Sequence, residues 1–363
     1  MSGPRPQPRD DLRALEGYHS AQVDVPVRLN TNESPFAPPE EFVRDWLAAM
    51  ADAPYNRYPD REAAALRAAL AELLGQPAAR VFPANGSNEV LQTILLTYAG
   101  AGRSALLFEP TYALHAHLAR ITGTAVVEGE RDDALAIDLE SAAALIEQHR
   151  PAVTFVCSPN NPTGTVEPRA VVTALLDLVA AHGGLLVVDE AYGEFASWSA
   201  LELVDDNRPL VVARTYSKVW SLAGVRLGFA VGPEWLVAEL DKVVLPYHLS
   251  VPTQLAGRLA LAYRDEMERR VAKLVEERGR LYAVLAELDG VDVFPSGANF
   301  LLFRVHGDGR AVWKALVEQG VLVRDFSRWP RLDECLRVTV GTASENDAFL
   351  AALRRALTEV GAA

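Results

Sequence analysis

Short apolar runs separated by amphipathic helical patterns occupy most of the first 250 residues. The runs are continuous rather than alternating, which is typical of strands buried on both faces of a mainly parallel sheet. They are ALLF (105–108), TAVV (124–127), VTFVC (153–157), LLVV (185–188), LVVA (210–213) and GFAV (228–231). Helical patterns occupy 62–75, 88–99, 138–149 and 168–182. This alternation of strands and helices predicts an α/β sandwich.

The pattern changes after about residue 250. A long helical stretch at 253–288 exceeds a single crossover within a compact sheet, so we expect it to bridge two domains. Further strand and helix patterns follow it to the C-terminus and predict a smaller α+β unit closed by a helix at 344–360. The expected organisation is an N-terminal arm at 1–28, a large domain at 29–250 and a small C-terminal domain at 251–363.

Composition limits the classes of partner. The chain has 363 residues, of which 50% are hydrophobic, and this length is typical of two domains. Its formal net charge of −13 argues against nucleic acid, whose phosphates the average surface would repel. A small anionic substrate is still compatible with that charge. Its site is then expected to consist of discrete arginines rather than a basic patch.

The sequence also predicts a cytoplasmic protein without a membrane partner. No apolar run approaches the roughly 18 residues that span a bilayer, and the polar, proline-rich N-terminus is unlike a secretory signal. Cys157 and Cys335 are too few for a disulfide framework and lack the spacing of metal ligands, so no metal site is predicted.

Lys218 follows the apolar run 210–213 and is preceded by the hydroxyl residues Thr215 and Ser217. A cation at the end of a buried strand is partly desolvated, which lowers the pKa of a lysine and frees its lone pair. Schiff-base chemistry requires such a neutral amine. A lone lysine at a loop edge is more often solvated, but Arg226 in GVRLG supplies a guanidinium suited to phosphate.

A second anion-binding pattern is PANGSNEVLQ at 83–92. Its turn opens a helix, so backbone N–H groups near Ser87 and Asn88 are expected to point outward and to form a phosphate cradle. The alternative is a plain capped helix, for which either side chain suffices. The motif is neither a Walker loop nor GxGxxG, so it gives no support for a nucleoside triphosphate or NAD.

Three further loops follow predicted strands, at the edge where open α/β sheets bind ligands. Asp189 in VVDEAYGEF is placed to hold a protonated ring nitrogen or, alternatively, to cap a helix starting at Glu190. Tyr192 is placed to donate to a ring oxygen. Two X-Pro steps, Ser158-Pro159 and Asn161-Pro162, in the stretch CSPNNPTGTVEP (157–168) give Asn161 a rigid setting. Tyr112 in EPTYALH is placed to stack on a planar ring. Together these groups are those that bind pyridoxal 5′-phosphate.

The motifs SPNNPTG, VDEAY and SK, with the later arginine of GVRLG, resemble those of the fold-type I, class I and II aminotransferases. The resemblance implies a three-layer PLP-dependent transferase fold, with helices on both faces of a mainly parallel sheet, a smaller α+β C-terminal domain, and a homodimer. Further stretches, among them RLNTNESPF (28–36), NRYPD (56–60) and LPYHLS (245–250), are similar to the histidinol-phosphate aminotransferases. The likeness runs from about Leu12 to the C-terminus.

The resemblance also implies how the cofactor is bound. Lys218 forms the internal aldimine and moves the proton between Cα and C4′, while Asp189 pairs with the pyridine nitrogen. Asn161 and Tyr192 hydrogen-bond the phenolic oxygen, and Tyr112 stacks on the ring. The phosphate is held by Ser87, Asn88, Thr215, Ser217 and Arg226, together with Tyr58 from the other subunit.

The same resemblance assigns the substrate-binding residues. Arg337 binds the carboxylate of glutamate and, with Arg324, the phosphate of histidinol phosphate, while Asn161 also faces the substrate. Tyr18 matches an N-terminal tyrosine that closes over it. The segment FSRWPRLDECLRVT (326–339) departs from the pattern by being bulkier, with Arg328, Trp329 and Arg331 before Arg337. Its added cations, Arg328 and Arg331, either reinforce phosphate binding or lie in solvent.

The expected reaction is transamination between L-histidinol phosphate and 2-oxoglutarate, with glutamate as the second amino compound, in ping-pong order. One alternative is an aromatic amino acid aminotransferase, in which the two arginines take only carboxylates. A second alternative is a PLP-dependent decarboxylase of a phosphorylated amino acid. A PLP-sensing regulator is a fourth possibility, but such proteins carry a DNA-binding domain that this sequence lacks.

Overall fold

The computed structural model of the protein describes residues 5–13, 15, 17 and 22–361. The predicted Tyr18 lies outside these residues. The strands are β1 (Val27–Leu29), β2 (Val81–Ala84), β3 (Ser104–Glu109), β4 (Ala125–Glu130), β5 (Val153–Cys157), β6 (Leu185–Asp189), β7 (Leu210–Thr215), β8 (Gly228–Val231), β9 (Val291–Val293), β10 (Phe300–Val305), β11 (Val321–Asp325) and β12 (Cys335–Thr339).

Helices occupy most of the chain between these strands. They are α1 (Glu40–Ala51), α2 (Ala64–Leu74), α3 (Gly86–Tyr98), α4 (Leu114–Ile121), α5 (Leu139–His149), α6 (Arg169–Ala181), α7 (Glu234–Val243), α8 (Val251–Ala260), α9 (Arg264–Ala286), α10 (Gly309–Glu318) and α11 (Ala343–Val360). None of the helices in the described part of the chain is both long and apolar enough to cross a bilayer.

The larger sheet has seven strands within the described residues, in the order β2-β8-β7-β6-β5-β3-β4. β8 runs antiparallel to both of its neighbours, and the pairs from β7 to β4 are parallel. All six apolar runs predicted as strands lie in this sheet, which confirms the α/β prediction. The sequence did not reveal the edge strand β2, because it is short and contains Pro83, which cannot donate to a ladder.

Side chains alternate across this sheet and divide the core into two layers. Val187 packs into a cluster that contains residues of α3 and α7, whereas its neighbours Leu186 and Val188 pack into a cluster that contains residues of α6. Successive side chains of a strand point to opposite faces, so a strand buried on both sides must be apolar throughout. The result is the three-layer arrangement expected from the sequence.

Parallel strands bring their carboxyl ends to one edge of the sheet. Cys157 pairs with Asp189, and Asp189 pairs with Ala213. The loops that follow β5, β6 and β7 therefore begin side by side. Asn161 and Lys218 lie in two of these loops, and Asp189 is the last residue of β6.

The helical stretch predicted at 253–288 is not continuous. It is divided into α8 and α9 by a 3-10 turn at Leu261–Tyr263. The Tyr263 hydroxyl donates to Asp45 at 2.7 Å, and its ring meets Phe42 at 6.0 Å, so the turn is attached to α1. Helical propensity continues across the break, which is why the sequence predicted a single element.

The smaller sheet has five strands among the described residues, in the order β1-β11-β12-β10-β9. β1 lies at the end of the predicted N-terminal arm and pairs parallel to β11, so the chain returns to its beginning to complete this sheet. β11, β12, β10 and β9 are antiparallel to one another. The domain boundaries at residues 28 and 250 stay a prediction.

Candidate active site

A cleft of about 1020 Å³ lies between the carboxyl edge of the larger sheet and the β11–β12 end of the smaller one. Apart from Tyr58 and Tyr18, every site residue predicted from the sequence lines this cleft. They are Ser87, Asn88, Tyr112, Asn161, Asp189, Tyr192, Thr215, Ser217, Lys218, Arg226, Arg324 and Arg337. Five separate loops and two strands of the second sheet thus supply one site.

Lys218 presents its amine to the interior of the cleft. The side chain is half-buried, and Nζ donates to the Thr31 carbonyl at 3.1 Å. Burial lowers the pKa of Lys218 to about 8, helped by the positive charge of Arg337 and opposed by the carboxylate of Glu33. This is the direction expected for a cation at the end of a buried strand. About a tenth of the amine is therefore neutral at pH 7, far more than for a free lysine, whose pKa is about 10.4.

Asp189 is 1% exposed and has two hydrogen-bond partners. Its Oδ1 accepts from the Ala191 backbone N–H at 3.1 Å, and its Oδ2 lies 3.0 Å from Nε2 of His115. A carboxylate only accepts, so the Nε2–H of His115 donates. No helix starts at Glu190, because the chain forms only a 3-10 turn at Gly193–Phe195. The helix-cap interpretation of Asp189 is therefore wrong.

His115 is a site residue that sequence reasoning missed. Its ring is fully buried and stacks on Phe155 at 4.7 Å with an interplanar angle of 5°. Tyr112 meets the same ring edge-on at 5.4 Å. The available signal was the three-residue spacing from Tyr112, which lies two residues before α4 begins at Leu114. His115 fixes the orientation of the Asp189 carboxylate from behind.

Tyr192 and Asn161 each belong to a polar network that reaches the smaller sheet. The Tyr192 hydroxyl accepts from Asn32 Nδ2 at 2.9 Å, and burial raises the pKa of Tyr192 to about 12. The Lys218 Nζ lies 5.6 Å from the centre of the Tyr192 ring. Oδ1 of Asn161 accepts from the Arg337 guanidinium. The phenol is therefore neutral and able to donate.

The anion cradle predicted at 83–92 forms at the start of α3. The residue that caps this helix is Asn85, and Ser87 and Asn88 lie inside the first turn, so neither is a simple cap. The first N–H groups of a helix have no partner within it and attract anions. Thr215 Oγ1 donates to Ser217 Oγ at 3.0 Å, which places a second pair of hydroxyls in the same cleft.

Two glycines and an arginine shape this cradle. A Cβ on Gly86 would lie 2.7 Å from Arg226 Nη2, and one on Gly228 would lie 2.3 Å from the Ser87 nitrogen. Arg226 has a φ of 56°, the left-handed region, and its Nη1 lies 3.5 Å from Ser217 Oγ. The close approach of backbone amides, hydroxyls and a guanidinium fits a phosphate group.

Arg324 and Arg337 form a second cationic element. They are directly opposite each other in the β11–β12 ladder. Arg337 is 5% exposed, donates to the Asn30 carbonyl at 2.8 Å, and has its guanidinium carbon 5.0 Å from the centre of the Phe300 ring. Two guanidinium groups beside one amine can hold a carboxylate or a phosphate monoester.

The structure separates the remaining predicted residues from the cleft. Tyr58 is 81% exposed and stacks on Tyr247 at 4.5 Å, outside the cleft of its own chain. Arg328 is exposed, and Arg331 pairs with Glu130 at 2.7 Å, so neither cation joins Arg324 and Arg337. Trp329 of the bulky segment 326–339, to which the sequence assigned no role, lines the cleft. Sequence reasoning missed several other residues that line it: Thr31, Glu33, His117 and Arg120.

Comparison with known proteins agrees with this geometry. The sequence profile of the family "Aminotransferase class I and II" matches residues 25–353. A histidinol-phosphate aminotransferase of Frankia casuarinae is 46% identical, over 96% of this chain and 90% of that protein. One from Thermobifida fusca is also 46% identical, over 98% of this chain and 96% of that protein.

A solved structure is similar over nearly the same length. It is a histidinol-phosphate aminotransferase from Sinorhizobium meliloti, in complex with pyridoxal-5′-phosphate. It is 26% identical to this chain, covers 92% of each chain and superposes with a TM-score of 0.84.

Proposed function

The chain belongs to the class I and II aminotransferase family, and from that membership we propose that it transfers an amino group between L-histidinol phosphate and 2-oxoglutarate, forming glutamate. The names of its relatives support this substrate. The observation that carries the proposal is the pairing of Arg324 with Arg337 beside the amine of Lys218. Of the two amino donors, histidinol phosphate carries a phosphate and glutamate carries a carboxylate. The same two guanidinium groups can bind either anion.

The cofactor of the protein is pyridoxal phosphate. When bound, it supplies an electron sink for the pair of electrons left on the substrate Cα. We propose that Asp189 holds its ring nitrogen and that His115 keeps the carboxylate in place. The cradle of Ser87, Ser217 and Arg226 would hold its phosphate.

Lys218 is proposed to carry the proton during the reaction. Its neutral amine takes the proton from the substrate Cα. The resulting ammonium then delivers this proton to C4′ of the cofactor. The Thr31 carbonyl, 3.1 Å from Nζ, can hold the side chain within the cleft while it is protonated. The neutral hydroxyl of Tyr192 is placed to donate a hydrogen bond beside it.

We also propose that the active form is a homodimer in which Tyr58 reaches the partner's cleft. Tyr58 and its neighbours Tyr55, Leu245 and Tyr247 are large apolar side chains that remain between 42% and 81% exposed in the single chain. An exposed apolar patch of this kind is typical of a protein interface.

A cytoplasmic location is proposed from the two cysteines, both buried and unpaired.

The proposed substrate is tested by comparing kcat/KM for L-histidinol phosphate, phenylalanine and tyrosine, each with 2-oxoglutarate. We expect histidinol phosphate to exceed the aromatic amino acids by at least about tenfold, since a phosphate engages both Arg324 and Arg337 with more acceptor oxygens than a carboxylate does. A tenfold preference for phenylalanine would instead identify the protein as an aromatic amino acid aminotransferase.

The lowered pKa of Lys218 gives a pH dependence that is measurable without turnover. The neutral amine is the form that attacks an aldehyde, so capture of pyridoxal phosphate by the cofactor-free protein should accelerate with pH and reach half of its plateau near pH 8. Glu33→Gln removes a charge that raises this pKa, so its midpoint should move lower. A midpoint near that of free lysine, about 10.4, in the unchanged protein would contradict the assignment.

A further inference from the structure

Asn32, in the motif RLNTNESPF, lines the cleft but has no part in the function proposed above. It is 1% exposed, and its Nδ2 donates to the Tyr192 hydroxyl at 2.9 Å. Asn32 follows β1 of the smaller sheet, whereas Tyr192 follows β6 of the larger one. Because the hydroxyl oxygen accepts from Asn32, its own proton points to another partner.

Thr339 of β12 determines which end of the Asn32 amide faces Tyr192. The Asn32 backbone N–H donates to Thr339 Oγ1 at 3.0 Å. Thr339 is 3% exposed, so its own hydroxyl proton needs an acceptor inside the protein. That acceptor is the Asn32 side chain, also at 3.0 Å, and within an amide group only the oxygen can accept. Oδ1 is therefore bound to Thr339, and Nδ2 is left for Tyr192.

The main chain at Asn32 is held as well as its side chain. Its φ is 56°, in the left-handed region that asparagine adopts more readily than most residues. Its carbonyl accepts from Asn299 Nδ2 at 3.1 Å. The preceding carbonyl, that of Thr31, accepts from Lys218 Nζ. One short segment thus contacts both Lys218 and Tyr192.

The ring of Tyr192 is also fixed from the smaller sheet. It meets the Phe300 ring edge-on at 5.1 Å and 85°, and Phe300 pairs with Thr339 in the β10–β12 ladder. Tyr192 is 5% exposed and lines the cleft. Among the residues that the structure describes, its hydroxyl accepts from Asn32 and finds no acceptor for its own proton. That proton is therefore available to a group bound in the cleft.

We propose that Asn32 is a positioning residue that donates to the Tyr192 hydroxyl and so reserves the proton of that hydroxyl for the ring oxygen of the cofactor, an inference that rests on the proposed function. A reversed amide would accept this proton itself, and the ring oxygen would lose its donor. Thr339 prevents the reversal. A donor stabilises the negative charge of the ring oxygen, which is greatest when the nitrogen that joins Lys218 to the cofactor is unprotonated. The donor therefore lowers the pKa of that nitrogen.

The test is a pH titration of the visible absorption of the holoenzyme, without substrate. The midpoint of the colour change reports the pKa of the nitrogen that joins Lys218 to the cofactor. Tyr192→Phe removes the donor and should raise the midpoint by about one pH unit. Asn32→Asp keeps the size of the side chain and tolerates the left-handed backbone. Its carboxylate only accepts, so it should take the Tyr192 proton and raise the midpoint at least as much.

The new carboxylate also adds a negative charge, which by itself raises the midpoint. Asn32→Asp combined with Tyr192→Phe measures this charge effect alone, because the hydroxyl is absent. We expect Asn32→Asp to shift the midpoint by about one pH unit more when Tyr192 is present. Equal shifts in both backgrounds would overturn the inference, as would an unchanged midpoint in Tyr192→Phe. The charges of Arg337, Glu33 and Arg226, which act on Lys218, are the same in all of these variants.

Thr339→Ser is the matched control, since it keeps the hydroxyl that orients the amide, and its midpoint should equal that of the unchanged protein. If thermal melting shows that Asn32→Asp is unfolded, Thr339→Val replaces it. Valine leaves the amide of Asn32 able to take either orientation, a factor of about two, so the midpoint should rise by about 0.3 pH units. An unchanged midpoint there is equally decisive against the inference. The proposed function is judged separately, by the substrate comparison, because this titration contains no amino donor.

Discussion

Replacing Lys218 with alanine is expected to lower kcat/KM for transamination by at least about 10⁴-fold, because the variant loses both the covalent link to the cofactor and the base that moves the proton. Lys218 is the lysine that lines the cleft among the described residues, so no neighbouring lysine amine there can replace it. The purified variant should also be colourless after dialysis. Borohydride should fix the cofactor to Lys218 in the unchanged protein, as peptide mass spectrometry would show.

Lys242→Ala is the control for this experiment. Lys242 is exposed on α7 and pairs with Glu239 on the surface, so its loss should leave both colour and activity unchanged. A colourless Lys218→Ala protein that kept full activity would refute the proposed role of the lysine. Loss of activity in both variants would show that the assay reports general damage.

Replacing Arg337 with alanine is expected to lower the rate of each half-reaction by about 10²- to 10³-fold. Truncating one partner of a buried, hydrogen-bonded charge costs about 2–5 kcal/mol, and each 1.4 kcal/mol is a factor of ten. Arg337 is 5% exposed and donates to Asn161 and to the Asn30 carbonyl, so its loss also releases groups that shape the cleft. Single-turnover measurements with histidinol phosphate and with glutamate separate the two halves.

Arg354→Ala provides the comparison, because Arg354 lies exposed on α11. An unaffected glutamate half-reaction in Arg337→Ala would exclude Arg337 as the carboxylate anchor. Arg337→Lys is expected to recover only part of the activity. An ammonium keeps the charge but cannot reproduce the forked geometry with which Arg337 contacts Asn161 and the Asn30 carbonyl.

The sequence predicted those features that depend on local patterns. Continuous apolar runs gave the buried strands, and residues directly after them, such as Asp189 and Lys218, necessarily reach the same sheet edge. The contact between His115 and Asp189 depends on which helix packs behind which strand. The break before α9 depends on Tyr263 meeting α1. Such contacts between distant segments leave no periodic signal in the sequence.

The same limit applies to the bulky segment 326–339. Its composition left open whether Arg328 and Arg331 bind a phosphate or lie in solvent. In the structure, Arg331 pairs with Glu130 at the end of β4. The aromatic residue between the two cations is the one that enters the cleft. The local sequence shows how many charged residues a segment contains. It does not show which of them form an ion pair with a distant element.

The pairing of β1 with β11 has a consequence for the synthesis of the protein. Asn32 reaches Thr339 across a separation of 307 residues, and Lys218 reaches Thr31 across 187. On the ribosome, the larger sheet can form while β11 and β12 are still untranslated. The contact between Lys218 and the Thr31 carbonyl cannot be fixed until these strands emerge. Such long-range contacts form late because a long loop must close first. A nascent chain arrested before β11 would therefore have a folded larger sheet but no transaminase activity.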